Sequence, residues 1–405
     1  MPLYWIWFAQ LNNLTFRQKH QILQVIPDPE ELYNASRQVL SRYFEDSIVR
    51  ALLDKELAGA RRILKDCTDR RIQILNCREE AFPQRLLNIE EAPVILYYQG
   101  SLPDWNDRPV IGVVGTRKSS PYGERTTRAV AAQIAACGGL VISGGADGID
   151  AAALEAASRM EKPTVTVFAG GVDVIYPKKN TALFRKLLEK GCILSECPPG
   201  TATLDWRFLR RNRLISGISN GVVVAEAPER SGALNTADHA LSQGRDVFVI
   251  PGNLGVATCA GSNRLLQQGA FPVLCGWDAV KQYENLYPGK VENVPVPLPE
   301  AIYEEEQKVA QKEEIPKTIR AKEKEVAKKS IDNREECPYS VLNKTKTQLT
   351  EEEKSVYALL TEEPQFPDAV LGQSELPAGT VQSILTKLTL KGLVKHCSGG
   401  QIARK

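Results

Sequence analysis

The sequence predicts an α/β protein: a doubly wound, mostly parallel sheet covered by helices on both faces, with a small helical module before it and a winged helix after it. Three observations carry this prediction. Between 110 and 275, short and wholly apolar runs alternate with segments of helical periodicity, the pattern of parallel strands buried on both sides. Glycine-rich turns follow several of these runs and open the next helix. A proline-rich and then Lys/Glu-rich stretch separates this region from a C-terminal segment whose apolar spacing is again regular.

Taken in order, the apolar start Leu3-Tyr4-Trp5-Ile6-Trp7-Phe8-Ala9 lacks a basic leader and is broken at Asn12-Asn13, so it reads as neither a signal peptide nor a membrane span of about 20 residues. Helices are expected from Leu11 to Val25, from Glu30 to Leu40 and around Ile48 to Leu64, with Pro27-Asp28-Pro29 as a breaker; residues 1–75 form the small helical module. The main domain, 76–287, opens with a strand at Val94-Ile95-Leu96-Tyr97-Tyr98 that ends by Gly100. Its central strands are Val110 to Val114, Leu140 to Ile142, Thr164 to Phe168, Cys192 to Leu194, Val222 to Ala225, Val247 to Ile250 and Phe271 to Leu274. Val130, Ile134 and Cys137 share a helix face before Gly138-Gly139, and Leu183, Phe184, Leu187 and Leu188 share another between Asn180 as N-cap and Gly191. From 288 to 347, prolines and then Lys and Glu leave too little apolar surface to offset the entropy of ordering, so this is a charged flexible linker. The final unit, 348–405, has helical patterns at Glu351 to Leu360 and Val381 to Leu390, then Leu393 to His396, a Ser398-Gly399-Gly400 turn and Ile402-Ala403, the order of a winged helix-turn-helix.

Composition narrows the function. Of 405 residues, 51 are Lys or Arg and 49 Asp or Glu, a net charge of +2 that excludes a generally basic nucleic-acid coat and requires any such site to come from local clustering. Nine cysteines with no C-x-x-C pair read as reduced packing residues of a cytoplasmic protein, without structural zinc. The only histidines, His20, His239 and His396, lie far apart in sequence, so neither a histidine metal cluster nor a His-based triad is expected, and no cofactor is called for.

The chemistry concentrates in the turns. Gly115-Thr116-Arg117-Lys118-Ser119-Ser120 follows the first central strand and enters a helix, placing backbone N–H groups, a helix N-terminus and two cations where a phosphate would sit. Ser143-Gly144-Gly145-Ala146-Asp147-Gly148-Ile149-Asp150 repeats the arrangement after the next strand, with Asp150 placed to cap the helix or orient the first loop. Tyr176-Pro177-Lys178-Lys179-Asn180 sets basic residues beside an aromatic at a helix entrance, although solvated surface lysines look the same. Trp206-Arg207-Phe208-Leu209-Arg210-Arg211-Asn212-Arg213 puts four arginines among aromatics, which suits the phosphates and bases of a single strand; in a helix, Phe208 and Leu209 would instead be core. Ser231, Gly232 and Thr236 offer another helix N-terminus, and Pro251-Gly252 and Gly261-Ser262-Asn263 follow on later loops. Turns at the carboxyl ends of parallel strands converge on one rim, and several anion cradles on one rim suit a polymer of phosphates.

At these residues the chain resembles the DNA-processing protein A (DprA/Smf) family, from about Ala81 to Leu274. The resemblance is carried by Gly115-Thr116-Arg117, Ser143-Gly144 with Gly148-Ile149-Asp150, Tyr176-Pro177, Ser195-Glu196, Arg211-Asn212-Arg213, Ser231-Gly232 with Thr236-Ala237, Pro251-Gly252 and Gly261-Ser262-Asn263. It implies an extended Rossmann-like domain with a SAM/HhH-like helical module, binding of single-stranded DNA, a homodimer, and loading of the RecA recombinase in natural transformation. The DNA-binding set is then expected to be Gly115, Thr116, Arg117, Ser119, Ser143, Gly144, Lys178, Lys179, Asn180, Arg211, Asn212, Arg213, Ser231, Gly232, Thr236 and Asn263. Three positions depart from the family pattern: Thr116 replaces the usual Ser, Asp147 an Arg, and Leu154 a His. A carboxylate at Asp147 lowers the phosphate attraction of its loop.

The competing expectation is a nucleotide-processing enzyme of the lysine-decarboxylase-like phosphoribohydrolase type. Its Pro-Gly-Gly-x-Gly-Thr-x-x-Glu pattern is absent, which leaves Glu196 and Glu226 at strand ends as general acid/base candidates. The expectation is therefore a protein without catalytic residues.

Overall fold

The runs Val110–Val114, Leu140–Ser143, Thr164–Val167, Cys192–Ser195 and Gly221–Val224 are buried at every residue, and each is a strand in the computed structural model. The structure describes residues 1–295, 349–361, 363, 365–374, 376–390, 393–396 and 402–404. From 296 onward the charged linker expected over 288–347 lies outside the described residues. Two compact units, Met1–Glu313 and Glu314–Lys405, are taken separately.

The first unit starts with helices α1 (Pro2–Gln10), α2 (Phe16–Val25), α3 (Pro29–Asn34), α4 (Arg37–Leu40), α5 (Asp46–Leu52) and α6 (Ala58–Asp69). Then come β1 (Gln73–Asn76), β2 (Ile95–Gly100), β3 (Val110–Val114), α7 (Pro121–Ala136), β4 (Leu140–Ser143), α8 (Ile149–Arg159) and β5 (Thr164–Val167). The unit continues with α9 (Thr181–Lys190), β6 (Cys192–Ser195), α10 (Asp205–Ile218), β7 (Gly221–Val224), α11 (Gly232–Ser242), β8 (Asp246–Val249), α12 (Ala260–Gln267) and β9 (Phe271–Pro272). The nine strands form one sheet in the order β1-β2-β6-β5-β4-β3-β7-β8-β9. From β6 to β9 all neighbours are parallel; β2 joins β6 antiparallel, and β1 pairs antiparallel with β2. This is the doubly wound, extended Rossmann-like sheet.

After β3 the chain winds out one way through β4, β5 and β6, then returns to place β7, β8 and β9 on the other side. The loops after β3 and β7 therefore diverge and leave a crevice at the carboxyl end of the sheet. Val130, Ile134, Ala153 and Ala157 of α7 and α8 cover one face, over Ile111, Val113 and Val223. Leu214, Ile215, Ala237 and Ala240 of α10 and α11 cover the other, over Val110, Val222 and Val224.

The helical module departs from expectation in four places, the first being the helix expected from Glu30 to Leu40, which is split into α3 and α4 where the Ser36 hydroxyl accepts from the Val39 N–H and starts a new helix. The apolar start is itself α1, with Trp5, Ile6, Trp7 and Phe8 buried, because a helix apolar on all sides belongs inside a core. The helix expected from Leu11 begins at α2, where the Thr15 hydroxyl accepts from the Gln18 N–H and the Gln18 side chain accepts from the Thr15 N–H. The single helix expected around Ile48 to Leu64 is split into α5 and α6. Its break is held by tertiary bonds: Trp7 Nε1 donates to the Asp54 carbonyl at 2.7 Å, and Lys55 Nζ donates to the Leu32 carbonyl at 3.0 Å. Strand β1 was not expected, and β9 is shorter than expected, with Leu274 81% exposed beyond Pro272. The module's apolar residues run without a gap into the sheet core.

The second unit has α13 (Glu351–Ala358), α14 (Pro367–Gln373), α15 (Ala378–Leu390) and an antiparallel pair, β10 (Val394–His396) with β11 (Ile402–Arg404). Val356, Leu360, Val370, Val381, Ile384, Leu388, Val394 and Ile402 form its core. Helix α14 is an addition to the expected winged-helix elements, and the expected Ser398-Gly399-Gly400 turn lies outside the described residues. Among the described residues no helix is long and apolar enough to cross a membrane, and no group of three or more His, Cys, Asp or Glu is placed to hold a metal ion.

Candidate nucleic-acid interface

The crevice between the loops of β3 and β7 widens into a cleft of about 500 Å³, lined by Val114 to Lys118, Ala146, Asp150, residues of α10 from Asp205 to Ile215, and Pro228 to Thr236. Gly115 lets the loops close on one another: a Cβ there would lie 2.5–2.7 Å from the Ile149 side chain at the start of α8. The Thr116 N–H donates to the Glu226 carbonyl at 2.7 Å, which ties the β3 loop to the β7 loop. Arg117 leaves this anchored turn for solvent and lays its guanidinium over the Phe208 ring, 4.8 Å from the centroid. Tyr176, 45% exposed, meets Phe208 at 5.6 Å between ring centroids.

Arg211 forms the floor. Its guanidinium is buried and donates to the Gly144 carbonyl at 2.6 Å and to the Val167 carbonyl. Burial, with the nearby Arg117 charge, pushes it down to about 10 while Asp150 opposes the shift, so it keeps its charge at neutral pH. Burial pushes the Asp150 carboxyl up, an effect that Arg211 opposes. Gly144 is required between them, since a Cβ there would lie 2.7 Å from both the Arg211 guanidinium carbon and Asp150 Oδ2. Asn212 donates to the Gly232 carbonyl at 3.2 Å and holds α10 against α11, while Ser231 caps α11 by accepting from the Ala233 N–H. The Thr236 hydroxyl turns back to the Gly232 carbonyl at 3.4 Å.

The structure thus brings Gly115, Thr116, Arg117, Arg211, Asn212, Ser231, Gly232 and Thr236 into one cleft. It places the other candidates differently. Ser119 donates to Glu124 at 2.7 Å, and the buried Ser143 hydroxyl donates to the Val113 carbonyl at 2.6 Å. Lys178, Lys179 and Asn180 form one turn before α9: Lys179 pairs with Asp147 at 3.1 Å, and the Asn180 amide holds the Gly145 carbonyl at 3.3 Å. Arg213 lies away from the cleft, paired with Glu196 at 2.5 Å and Glu91 at 3.3 Å beneath Phe16 of α2. Asn263 clasps Gly252 through both backbone groups at 3.0 Å.

Of the helix N-termini read as phosphate cradles, that of α7 is already occupied. The Glu226 carboxylate accepts from the Ser120 N–H at 2.9 Å at the start of α7, and Asp150 accepts from the Ala146 N–H at 3.3 Å before α8. At α7 an internal carboxylate thus takes the place of an anion, whereas the start of α11 opens on the cleft. Glu226 is fully buried in this role, and Glu196 is held by Arg210 at 2.9 Å as well as by Arg213, so neither lines the cleft as an acid or base. Lys118, the second cation of the first turn, also lines the cleft, as does Asp205, and sequence reasoning passed over one cleft cation, Arg230. The position of Arg230 immediately before the helix-capping Ser231 was the available signal.

Comparison with known proteins bears on the family and the fold. The family model for DNA recombination-mediator protein A matches residues 73–284, and that for the DprA winged helix domain matches residues 342–400. The DNA processing protein DprA of Bacillus subtilis is 34% identical over 252 residues, covering 61% of this chain and 84% of the relative. Its counterpart in Streptococcus pneumoniae is 39% identical over 206 residues, 51% of this chain and 72% of the relative. The X-ray structure of DNA processing protein A from S. pneumoniae superimposes with a TM-score of 0.56 at 32% identity, covering 68% of this chain and 95% of that one. A matching sheet, a cleft at its switch point and relatives aligned over most of their length lead to one assignment: the chain belongs to the DNA recombination-mediator protein A family.

Proposed function

We propose that the cleft holds single-stranded DNA, and that the protein acts without catalysis, protecting an incoming strand and loading the RecA recombinase onto it. The observation that carries this reading is the guanidinium of Arg117 stacked on Phe208 beside Tyr176, with Arg211 in the floor and Lys118 and Arg230 at the walls. Cations beside open aromatic faces suit phosphates and unpaired bases together, whereas a duplex keeps its base faces stacked inside. A nucleotide-processing enzyme is disfavoured because Glu196 and Glu226 are committed to internal partners. Leu241, Phe271 and Leu274, exposed beside the free edge at β9, support a homodimer through that edge.

The test is fluorescence-anisotropy binding to labelled oligo-dT and to the matching duplex across a salt series. Salt-sensitive preference for the single strand is expected. Equal or absent binding to both would overturn the reading, and ribose release from a nucleotide panel would replace it with the enzymatic one. RecA filament growth on the same strand, with and without the protein, tests the loading step.

A further inference from the structure

Trp206 is the residue that the cleft leaves unexplained. It stands in the first turn of α10, 52% exposed, and does not line the cleft. Its ring is held from one side: the Arg207 guanidinium lies 5.0 Å from the ring centroid and also donates to the Ala202 carbonyl. With about 100° of rotation per residue, positions 206 and 208 point to nearly opposite faces of the helix. The surroundings follow this division. Phe208 lines the large cleft, whereas Trp206 and Arg207 border a separate, shallow depression of about 40 Å³ with Phe168, Cys197 and Leu214. Arg211, itself buried, borders both, so the two depressions flank the start of α10.

We propose that Trp206, backed by Arg207, is a second base-stacking station for the same single strand, which therefore wraps around the first turn of α10 instead of ending in the cleft. This rests on the reading of the cleft as a single-strand site. A large aromatic face open to water, with a cation positioned over the ring, matches the chemistry of an unpaired base and its phosphate. The station tolerates any base, since each presents a π-face. Its consequence is a longer footprint than the cleft alone accommodates.

Tryptophan emission reads this directly. Of the five tryptophans, Trp5, Trp7 and Trp105 are buried and Trp277 is partly buried, so strand-dependent quenching arises mainly at Trp206. The intact protein is titrated with oligo-dT strands of increasing length, following emission and anisotropy together. Quenching is expected only with strands long enough to pass the cleft. Trp206→Phe should remove most of the quenching and retain the affinity, and Trp206→Ala should weaken long strands about ten-fold while leaving the shortest bound strands unchanged. Anisotropy-detected binding with unchanged emission, or wild-type affinity of Trp206→Ala at every length, overturns the second station and leaves the cleft reading intact. Absence of binding at every length overturns both.

Discussion

Arg117 and Arg211 carry similar charges in one cleft but are held in opposite ways. Arg117 is exposed and rests on the Phe208 ring, so Arg117→Ala tests the proposed strand contact without disturbing the fold. Single-strand affinity is expected to fall about five- to ten-fold for every sequence alike, measured by anisotropy, because a phosphate contact reads no base. Arg211 is buried against carbonyls and faces Asp150 across Gly144. Asp150→Ala leaves that guanidinium without its compensating charge, and urea unfolding should show a loss of about 2–4 kcal/mol. A variant as stable as the wild type would mean that the carbonyls alone satisfy Arg211.

The elements meet where small residues and internal carboxylates allow it. Gly115→Ala would drive a Cβ into Ile149 and separate the β3 loop from α8, so a destabilisation of about 1–3 kcal/mol is expected in thermal or urea unfolding. Weakened DNA binding should accompany it, since Arg117 follows two residues later. The seating of α2 gives a pH signature. Lys19 is buried, donates to the Ala9 carbonyl at 2.6 Å, and is pushed down to about 8 by burial and by Arg210, against the pull of Glu196. Between that value and its ordinary 10.5 the unfolded chain holds the extra proton, so stability rises with pH across this window; below it the cost of burying the ammonium is complete. The stability of the wild type relative to Lys19→Met should therefore increase by roughly 2–3 kcal/mol from pH 8 to 10. A flat difference would show that Lys19 titrates normally.

At the scale of the whole molecule, a net charge of +2 conceals a cationic cleft, because ion pairs elsewhere absorb much of the basic complement: Lys179 with Asp147, Arg210 with Glu196, and Arg213 with Glu196 and Glu91. Arg117, Lys118, Arg211 and Arg230 remain directed to the cleft. With Arg211 already compensated by Asp150, the three exposed cations Arg117, Lys118 and Arg230 predict that log affinity for a single strand falls against log salt with a slope of roughly −2. A slope near zero would remove phosphate binding from the account. The central strands were legible in the sequence because burial on both faces demands unbroken apolar runs, and the turn glycines marked the rim where the cleft opens. Arg117 and the Ser231-Gly232 turn were legible for the same reason, since glycine and charge in a turn leave few other roles, and Arg211 from the density of arginines between Trp206 and Arg213. Long-range contact decided the rest. Arg213, two residues from Arg211, turns to Glu196 and Glu91. Glu226 occupies the α7 start that a phosphate would otherwise take, Asp150 turns to the Ala146 N–H of the loop before α8, and the Asp54 and Leu32 carbonyls hold open a helix that periodicity had left whole. The sequence by itself determined which segments are strands, helices and turns, because these follow from local periodicity and backbone freedom. Which cations face the ligand and which are neutralised within the protein was decided only by the tertiary structure, because a charge's partner is set by proximity in space and not along the chain.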